Sequence, residues 1–500
     1  METEALLSAL NQLSQPTNLL VLAIGAVAGL ILGALPGLFL AGLTIGMTFT
    51  FGWDAGTAMF LMAGMMGAAT EGGSVPAILL NIPGEAPNAA TCFDGHPMAR
   101  RGEAGRAVGL AAASSFLGAV VGMFFLILLI PFVKTIVLSF GPPEFFMLVI
   151  FGLLTVAYAA RGNMLKGLVS AGIGVLLSLI GFSPVHGVMR FNMGSEMYMW
   201  DGIPLVPFFI GLFAIAELVN HILRGDTIAE GGERVKVGLL GAFKGFLEVF
   251  HHKATLVRSS AIGILAGIIP GIGGVLANFL SYSMTVQFSK NPSGIKFGEG
   301  NPEGIIASEA SNDAKDGGAL LPTIIFGIPG SAGMAVLLGA FILHGLQPGF
   351  FFIREHMDLV FVLVFGFVVA NFLASLMAAF GADFLARVTT LKIGYVVPAA
   401  FLLSIGGAYA ARENIWDVGI AILAGIMGFA FNRFGFSLVT LVIGFLLGVR
   451  AELSFVQSLQ MSGGDYSVFV TRPITVVLML LSILMLCLPM LTRRKAKAKS

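Results

Sequence analysis

Two Ile-Pro-Gly motifs carry the residue types in this sequence that are best suited to bind a small anion. Each motif follows a short apolar run and precedes small polar residues, within residues 70–91 and residues 309–333. Proline removes a backbone donor and ends or kinks a helix, and glycine permits a tight reversal. We therefore interpret each element as a helical hairpin that dips into an apolar interior. Free amides and a positive helix end at its tip would hold a carboxylate.

Polar side chains lie on or beside these two elements although the surrounding sequence is apolar. Such groups are expensive to bury and therefore suggest function. Asn, Ser and Thr can hydrogen-bond substrate oxygens, Asp313 can hold Na⁺ or H⁺, and Glu71 and Glu85 are expected to face water at a hairpin mouth. An interhelical hydrogen bond is the alternative role for any single residue, and kinked packing helices are the alternative for the motifs. The candidates are Asn81, Asn88, Thr91, Asn278, Ser311, Asn312, Asp313 and Ser331, with Pro83, Gly84, Pro329 and Gly330 at the bends.

Two further apolar segments are each interrupted by a Pro-Gly pair. The first contains Leu-Pro-Gly, ending at Gly37, and the second contains Ile-Pro-Gly, ending at Gly271. Backbone carbonyls freed at these breaks, together with Asn278 and Asp313, are the candidate ligands of a coupling cation such as Na⁺. Close helix packing is the alternative role for the breaks, and both roles stay open. Two cysteines and scattered histidines predict no transition-metal site.

These motifs belong to a longer internal repeat. Residues 25–38 (GAVAGLILGALPGL) match 259–272 (SSAIGILAGIIPGI), residues 76–84 (PAILLNIPG) match 322–330 (PTIIFGIPG), and residues 157–163 (AYAARGN) match 408–414 (AYAAREN). Three matches in the same order and at similar separations predict two homologous halves. The extra residues of the second half fall in the polar segment Lys290–Gly318.

The composition is that of a polytopic membrane protein. Of the 500 residues, 57% are apolar and 11% are charged, and the mean hydropathy is +0.93. A soluble domain has about 25% charged residues, so an ordinary soluble enzyme is excluded. The net charge of +1 does not suggest a nucleic-acid partner. The sequence contains no nucleotide-binding loop, so no ATPase is expected and an ion gradient is the predicted energy source.

Apolar runs and loop charges predict how the chain crosses the membrane. A helix needs about 20 apolar residues to span the hydrocarbon, which predicts roughly a dozen crossings. Loops 94–106 and 161–166, the middle loop and the C-terminal RRKAKAK are basic, and basic loops face the cytoplasm. The corresponding loops of the second half would then face outward. This arrangement is an inverted repeat, which is typical of secondary transporters.

The predicted fold is an all-α polytopic membrane protein with about 12 transmembrane segments in two inverted-topology repeats. Its helices are broken at Pro and Gly and include re-entrant hairpins. Residues 1–222 form the first membrane repeat and 223–258 a cytoplasmic linker with an amphipathic helix. Residues 259–470 form the second repeat, and 471–500 an extra span with a basic cytoplasmic tail.

The longest motifs resemble the large membrane subunit of the tripartite tricarboxylate transporters, the TctA-like family. They are GALPGL at 33–38, NIPGEAPNAATCFDGHPMARRGEAGRA at 81–107, EASNDAKDGGALLPTIIFGIPGSAG at 309–333 and HGLQPG at 344–349. The resemblance covers almost the entire chain. It implies a bacterial inner-membrane secondary transporter that imports citrate-like or other carboxylates with Na⁺ or H⁺. It also implies an elevator-type fold, in which paired hairpins hold the substrate in a moving domain.

The resemblance also implies partners and site residues. Members of the family work with a small four-helix membrane subunit and a periplasmic substrate-binding protein. The hairpin tips Asn81–Thr91 and Gly327–Ser331, with Asn312, become the substrate and ion candidates. Asp313 stands where the family often has asparagine, a difference that bears on ion coupling. No cofactor besides the coupling cation is expected.

Two other classes of function are open at this point. A membrane-embedded enzyme acting on a lipid-like substrate would need an acid–base pair or a metal cluster at membrane depth. The scattered histidines do not supply one. The other class is an uncoupled channel or a scaffold subunit. A duplicated broken-helix core argues against a pure scaffold, and saturable, gradient-dependent uptake would exclude a channel.

Overall fold

The chain is mostly helical over the residues that the computed structural model describes, which are 2–159, 164–195, 197–224, 237–270, 273–388 and 393–497. The α-helices are α1 (Glu2–Ser14), α2 (Pro16–Ala34), α3 (Phe39–Phe49), α4 (Ala55–Leu80), α5 (Ala89–Met98), α6 (Ala104–Leu138), α7 (Pro142–Ala159), α8 (Met164–Ser178), α9 (Leu205–Phe209), α10 (Ala216–Arg224), α11 (Leu239–Glu248), α12 (Lys253–Ile268), α13 (Gly273–Phe288), α14 (Pro302–Phe326), α15 (Ala332–Leu343), α16 (Phe350–Glu355), α17 (Met357–Val388), α18 (Ile393–Ala410), α19 (Ile415–Arg433), α20 (Leu438–Met461), α21 (Val468–Thr471) and α22 (Pro473–Lys497). Short 3-10 turns lie at Ala86–Asn88 and Val249–His251, and π-helical turns at Ala99–Glu103 and Ile210–Ile215. Two strands, β1 (Gly181–Ser183) and β2 (Val188–Arg190), form an antiparallel hairpin in which Phe182 pairs with Met189.

Six helical segments within the described ranges are long and apolar enough to cross a membrane. They are Pro16–Ala34, Ala86–Phe132, Leu205–Leu223, Met357–Val388, Ile415–Arg433 and Leu438–Met461. Six shorter apolar helices accompany them. The prediction of an all-α, multi-pass membrane protein is therefore confirmed. The number of about 12 spans, the inverted orientation and the elevator motion stay predictions.

The two helices that lead into the Ile-Pro-Gly motifs, α4 and α14, are buried among the other helices. Nearly every residue from Gly56 to Leu79 and from Pro302 to Ile325 is buried. Burial on all sides is expected of a helix surrounded by protein. The short apolar runs before the motifs are the last parts of long helices, because α4 has 26 residues and α14 has 25. The polar first half of α14 looks like a loop in sequence but is helical inside the bundle.

Glycines let neighbouring helices approach these two helices closely. On α2, Gly29 and Gly33 are four residues apart and share one face. A Cβ at Gly29 would lie 2.1 Å from the carbonyl oxygen of Met65 on α4. A Cβ at Gly267 on α12 would lie 2.1 Å from the carbonyl oxygen of Lys315 on α14. Small residues at such crossings are typical of helix packing in membranes.

The long helices of each predicted half contact the central helix of the other half. Helix α6 packs against α14, and α17 packs against α4. Helix α20 packs against α7 and α8, and α19 packs against the π-helical turn after α9. One large hydrophobic core runs through both sets of helices. The two halves are therefore packed as one unit around α4 and α14.

A helix within the predicted linker packs on the bundle. Helix α11 lies against α6 and exposes Leu239, Leu240 and Phe243. Exposed apolar side chains of this kind suit a helix that lies at a membrane surface. Residues 225–236 of the linker lie outside the described residues. The boundaries of the two repeats, the linker and the C-terminal span stay predictions.

Helices α4 and α14 end in the same way. Asn81 after α4 and Gly327 after α14 both adopt the left-handed backbone conformation, with φ of 58° and 66°. The amide that follows each of them donates to a proline carbonyl inside the helix, that of Pro76 or Pro322. A left-handed residue with such a bond is a common helix ending. Corresponding positions of the repeat thus adopt the same backbone geometry.

Candidate functional site

A group of ionisable and amide side chains lies where α4, α6, α14 and the segment after α4 meet. We define this polar cluster as Glu71, Glu85, Glu309, Asn312, Asp313, Lys315 and Asp316. Glu71 on α4 and the cluster acids Glu309, Asp313 and Asp316 on α14 are each at most 6% exposed. These three acids of α14 are spaced i, i+4, i+7 and therefore share one helix face. This spacing, together with the buried position of α14, places several charges in the interior.

Hydroxyl groups satisfy one carboxylate of the polar cluster. Glu309 accepts hydrogen bonds from Ser74 of α4 (2.7 Å), Ser115 of α6 (3.0 Å) and Thr91 of α5. Hydrogen bonds to an ionised acceptor are about twice as strong as those between neutral groups. Glu309 therefore ties three neighbouring helices to α14. The predicted ligand Thr91 is one of its donors.

Other oxygens of the cluster accept no hydrogen bond from the described residues. Both carboxylate oxygens of Glu71, both of Asp313 and the amide oxygen of Asn312 are buried without a hydrogen-bond partner in the described part of the chain. Ser115 is a shared neighbour of Glu71 and Asp313, as well as of Glu309. Buried polar atoms have a partner in roughly 90% of cases or more. This concentration of unpaired oxygens indicates a place for an ion.

One ammonium group accompanies the carboxyl groups. Lys315 Nζ lies 3.0 Å from Asp316 Oδ1, and Glu85 and Asp313 are within electrostatic range of it. The polar cluster as defined thus has five carboxyl groups and one base. Buried negative charge without compensation is costly. The cluster is therefore suited to bind cations or protons rather than an anion alone.

Asn88 braces the first tip, which we define as residues 81–88. Its side-chain nitrogen donates to the carbonyl of Thr70 (3.1 Å) and to the hydroxyl of Ser74 (2.9 Å). Its side-chain oxygen accepts from the amide of Glu85 (3.2 Å). Both ends of the Asn88 amide are thus used inside the fold. The expectation of free amides at this tip is wrong for Glu85.

The glycines of the two Ile-Pro-Gly motifs are sites of close backbone approach. The amide of Gly84 donates to the carbonyl of Gly73 (3.2 Å), and a Cβ at Gly84 would lie 2.0 Å from the carbonyl oxygen of Gly33. A Cβ at Gly330 would lie 2.8 Å from the carbonyl oxygen of Gly267. Neither motif glycine has a positive φ. Close packing, and not a left-handed backbone, is therefore what requires glycine at these two positions.

The second tip, which we define as residues 327–331, lies beside a basic side chain. A Cβ at Gly327 would lie 2.8 Å from the Nη1 atom of Arg450 on α20. Arg450 donates to the carbonyl of Pro348 (3.2 Å). No carboxylate of the described ranges pairs with it. Sequence reasoning missed Arg450, whose signal was a lone base inside the apolar segment of α20.

Two further predicted ligands make local contacts. Asn278 donates to the carbonyl of Pro87 (3.0 Å) and accepts from the hydroxyl of Ser311 (2.9 Å). It therefore joins the first tip to α13 and α14. Ser331 accepts from the amide of Met334 (3.3 Å) and so caps the start of α15.

The remaining predicted residues have other surroundings. Asn81 has an exposed side chain, Pro83 is half-buried and Pro329 is buried. Gly37 has a φ of 78°, and a Cβ there would lie 2.8 Å from Glu217 Oε1, so the first break contacts α10. Gly271 lies outside the described residues. The binding roles assigned to all of these positions stay predictions.

The acids of the polar cluster were undervalued by sequence reasoning. The expectation that Glu71 faces water is wrong, because its side chain is 0% exposed. Glu309, Lys315 and Asp316 were not singled out either. Two features of the sequence could have indicated them. Glu309, Asp313 and Asp316 are spaced so that they share one face of a helix, and Glu71 is a single acid among small and apolar residues.

A sequence profile of the tripartite tricarboxylate transporter TctA family matches residues 19–443. The match includes α4, α14, both tips and the polar cluster. The chain belongs to the TctA family. The resemblance inferred from the motifs is therefore confirmed. The family is one of transporters and not of enzymes, and it provides the large subunit of a tripartite system.

Two relatives from Agrobacterium vitis extend this comparison. An uncharacterized 52.8 kDa protein in the TAR-I ttuC' 3' region is 32% identical over 483 residues, covering 96% of this chain and 95% of the relative. An uncharacterized protein in the TAR-II ttuC' 3' region is 33% identical over 235 residues, covering 47% of this chain and 96% of the relative. No solved structure matches the chain.

Proposed function

We propose that this TctA-family chain is the large permease subunit of a binding-protein-dependent secondary transporter. It imports tricarboxylates or related carboxylates, with citrate as the default substrate, by symport with Na⁺ or H⁺. It works in the bacterial inner membrane with a small four-helix membrane subunit and a periplasmic substrate-binding protein. It needs neither an ATPase nor a cofactor besides the coupling cation. The family match supports the transporter class.

The polar cluster is the observation that carries the proposal of cation coupling. Its five carboxyl groups and one ammonium repel an anion unless a cation or protons offset their charge. A carboxylate that binds near a filled cation site is attracted to it, and the attraction is reciprocal. That mutual increase in affinity is the thermodynamic basis of symport.

Arg450 supplies a positive contact for the substrate at the second tip. Its guanidinium lies against Gly327 and has one protein acceptor, the carbonyl of Pro348. The guanidinium group has five N–H donors in a planar fork, which matches a carboxylate. Arg450 can therefore bind a carboxylate of the substrate while it keeps its bond to Pro348.

Replacing Arg450 with glutamine is expected to raise the KM for the carboxylate about 10- to 100-fold, because a hydrogen bond to a charged group is worth about 1.5–3 kcal/mol. Arg450→Lys should restore part of the affinity because it keeps the charge. Arg433→Gln, at an exposed position on α19, is the control and should leave the KM unchanged. An unchanged KM in Arg450→Gln, measured by uptake of labelled substrate, would remove Arg450 from the site.

The loops at about 183–202 and 450–470 form the proposed docking surface for the periplasmic binding protein. Arg190 donates to both carboxylate oxygens of Glu452, at 2.7 and 2.9 Å. A bidentate pair of this kind holds its partners in a defined orientation. Glu452 lies on α20, so the segment expected to be a loop at 450–470 is helical up to Met461. The pair brings the two segments together, as a single docking surface requires.

The first of these loops is anchored by Tyr198 and exposes apolar side chains just before that anchor. Tyr198 donates to Asp417 at 2.6 Å. Burial raises the pKa of the Tyr198 phenol, and its bond to Asp417 raises it further, so the phenol stays a donor at physiological pH. Met193 and Met197 are 85% and 94% exposed. Flexible methionine side chains are suited to a protein-binding surface.

Uptake into proteoliposomes tests the proposed function directly. The chain is reconstituted with its small membrane partner and offered labelled di- and tricarboxylates, with and without the binding protein and an inward Na⁺ gradient. We expect saturable accumulation that requires both. Accumulation without the binding protein would contradict the tripartite assignment. Flux that does not saturate would indicate a channel, and no uptake of any carboxylate by folded protein would refute the substrate class.

A further inference from the structure

Six oxygens of the polar cluster are buried without a hydrogen-bond partner among the described residues. One is Oε1 of Glu85, and the other five belong to Glu71, Asn312 and Asp313, whose side chains are 0%, 2% and 1% exposed. The neighbouring Glu309, in contrast, has its carboxylate oxygens bonded to hydroxyl groups. Hydroxyl donors are therefore present in this region, and Ser115 lies near both Glu71 and Asp313 but gives its hydrogen bond to Glu309. A buried acceptor left without a donor costs about 1–3 kcal/mol, so a ligand that satisfies these oxygens would be bound favourably.

The chemistry of these oxygens selects the type of ligand. All belong to carboxylate or amide groups, and such oxygen ligands suit hard cations. A proton on one carboxyl group provides a single hydrogen bond and would leave most of these oxygens unpaired. No three His, Cys, Asp or Glu side chains converge in a metal-ligating arrangement within the described ranges. Two carboxylates with a neutral amide, near the positive charge of Lys315, instead suit an ion of charge +1.

The location of these residues connects a bound ion to the predicted hairpins. Glu71 belongs to α4, and Asn312 and Asp313 belong to α14, so an ion there would join the two buried motif helices. Ser115 of α6 is a neighbour of both acids and also donates to Glu309. Glu309 in turn holds α5, which follows the first tip. An ion at this place would therefore stabilise the arrangement of the first tip.

We propose that Glu71, Asn312 and Asp313 form a Na⁺ site between α4 and α14. The inference rests on the proposed cation symport and specifies its ion and its ligands. It replaces the breaks at Gly37 and Gly271 as the principal cation ligands. It also assigns a functional role to Glu71, whose side chain is fully buried and whose carboxylate oxygens have no hydrogen-bond partner among the described residues.

Thermal unfolding of the purified chain in detergent tests the site without substrate or partners. Choline chloride is replaced stepwise by NaCl at constant ionic strength, with KCl in a parallel series. A ligand that binds only the folded state raises the unfolding temperature, so we expect a saturable rise specific to Na⁺. Glu71→Gln and Asp313→Asn should each raise the Na⁺ concentration at half-maximal effect at least about tenfold, which corresponds to about 1.4 kcal/mol.

Two further variants keep the test decisive. Glu144→Gln is the matched control, because Glu144 is also buried (1% exposed) but is paired with Arg472 and the amide of Gly141. It should keep the wild-type response to Na⁺. Asn312→Ala removes a neutral ligand and should weaken the response if a carboxylate variant fails to fold.

The results separate this inference from the proposed function. No Na⁺-specific rise in the wild type, or an unaltered response in all three site variants, would overturn the Na⁺ site while leaving proton-coupled uptake intact. A Na⁺-specific rise that the site variants weaken supports the site. If such a protein then takes up no carboxylate, the proposed function fails and the Na⁺ site stands.

Discussion

At the scale of single residues, the two helix endings show how conformation and binding can be told apart. Asn81 and Gly327 occupy corresponding positions with the same left-handed backbone. Gly327 has no side chain, and Asn81 exposes its own. Asparagine and glycine are the residues that most readily adopt this conformation. The backbone geometry therefore explains an asparagine at position 81 without any ligand.

Substitution of Asn81 tests the two roles separately. Asn81→Ala should lower the free energy of unfolding by about 1–2 kcal/mol, because a Cβ without a local hydrogen bond disfavours the left-handed region. Asn81→Gly should unfold at the wild-type temperature. Uptake is then measured for Asn81→Gly. Lost uptake at normal stability would support the predicted substrate contact, and normal uptake would remove Asn81 from the site.

Gly84 is the residue whose size the packing constrains most clearly at the first tip. A Cβ there would lie 2.0 Å from the carbonyl oxygen of Gly33 and 2.5 Å from the Cα of Gly73. Overpacking of this kind costs about 1–3 kcal/mol, so Gly84→Ala should unfold at a lower temperature and yield less monodisperse protein. Gly172→Ala on α8, where nothing lies within 4 Å of the new Cβ, should be neutral or slightly stabilising. Equal stability of both variants would contradict the close contact at the first tip.

At the scale of elements, one carboxylate fastens a loop of the second half to a helix of the first. Asp94 on α5 accepts hydrogen bonds from the amides of Gly298 (2.9 Å), Gly300 (2.9 Å) and Asn301 (2.7 Å) and from the hydroxyl of Tyr282 (2.8 Å). This loop lies in the polar segment that the second repeat has in addition. Since α14 begins directly after it, the bonds to Asp94 help to position the helix that carries the polar cluster.

Asp94→Ala should release this loop. The buried amides of Gly300 and Asn301 then lose their acceptor, as does the more exposed amide of Gly298, and an unsatisfied buried group costs about 1–3 kcal/mol. We expect faster proteolysis between α13 and α14 and a lower unfolding temperature. Tyr282→Phe, which removes one bond and keeps the ring, should show a smaller effect of the same kind. Unchanged cleavage in Asp94→Ala, followed by mass spectrometry of the fragments, would show that other contacts hold the loop.

At the scale of the whole molecule, the two predicted halves share a core. Helix α6 lies on α14 and α17 lies on α4, so neither half can bury its central helix alone. The structure is therefore consistent with folding as one unit. The direction in which each half crosses the membrane is a separate matter and depends on the charge of the loops.

Cysteine labelling of intact cells tests the inverted topology. The native Cys92 and Cys487 are first replaced by serine, and single cysteines are introduced as Arg100→Cys and Glu355→Cys, both at exposed positions. An impermeant thiol reagent added outside should label Glu355→Cys and spare Arg100→Cys until the cells are opened. Equal labelling of both in intact cells would exclude the inverted repeat.

Much of the fold was accessible from the sequence because it depends on properties of local segments. Hydropathy predicts membrane helices wherever about 20 apolar residues follow one another. The repeated motifs around Gly33 and Gly267, and around Gly84 and Gly330, could be recognised as similar sequence segments. The first half of α14 was not recognised as helix, because its polar residues lower its hydropathy although protein surrounds it.

The sequence by itself determined the membrane class, the internal repeat and the TctA family, since hydropathy and motifs are properties of residue order. Only the tertiary structure decided what the polar residues contact. Glu309 is satisfied by Ser74, Thr91 and Ser115, which come from three other helices. Glu71 is left unpaired. The physical reason is that the free-energy cost of burying a charged side chain depends on the residue type, which the sequence states. The hydrogen bonds and opposite charges that offset this cost come from residues far away in the chain, which only the fold brings together.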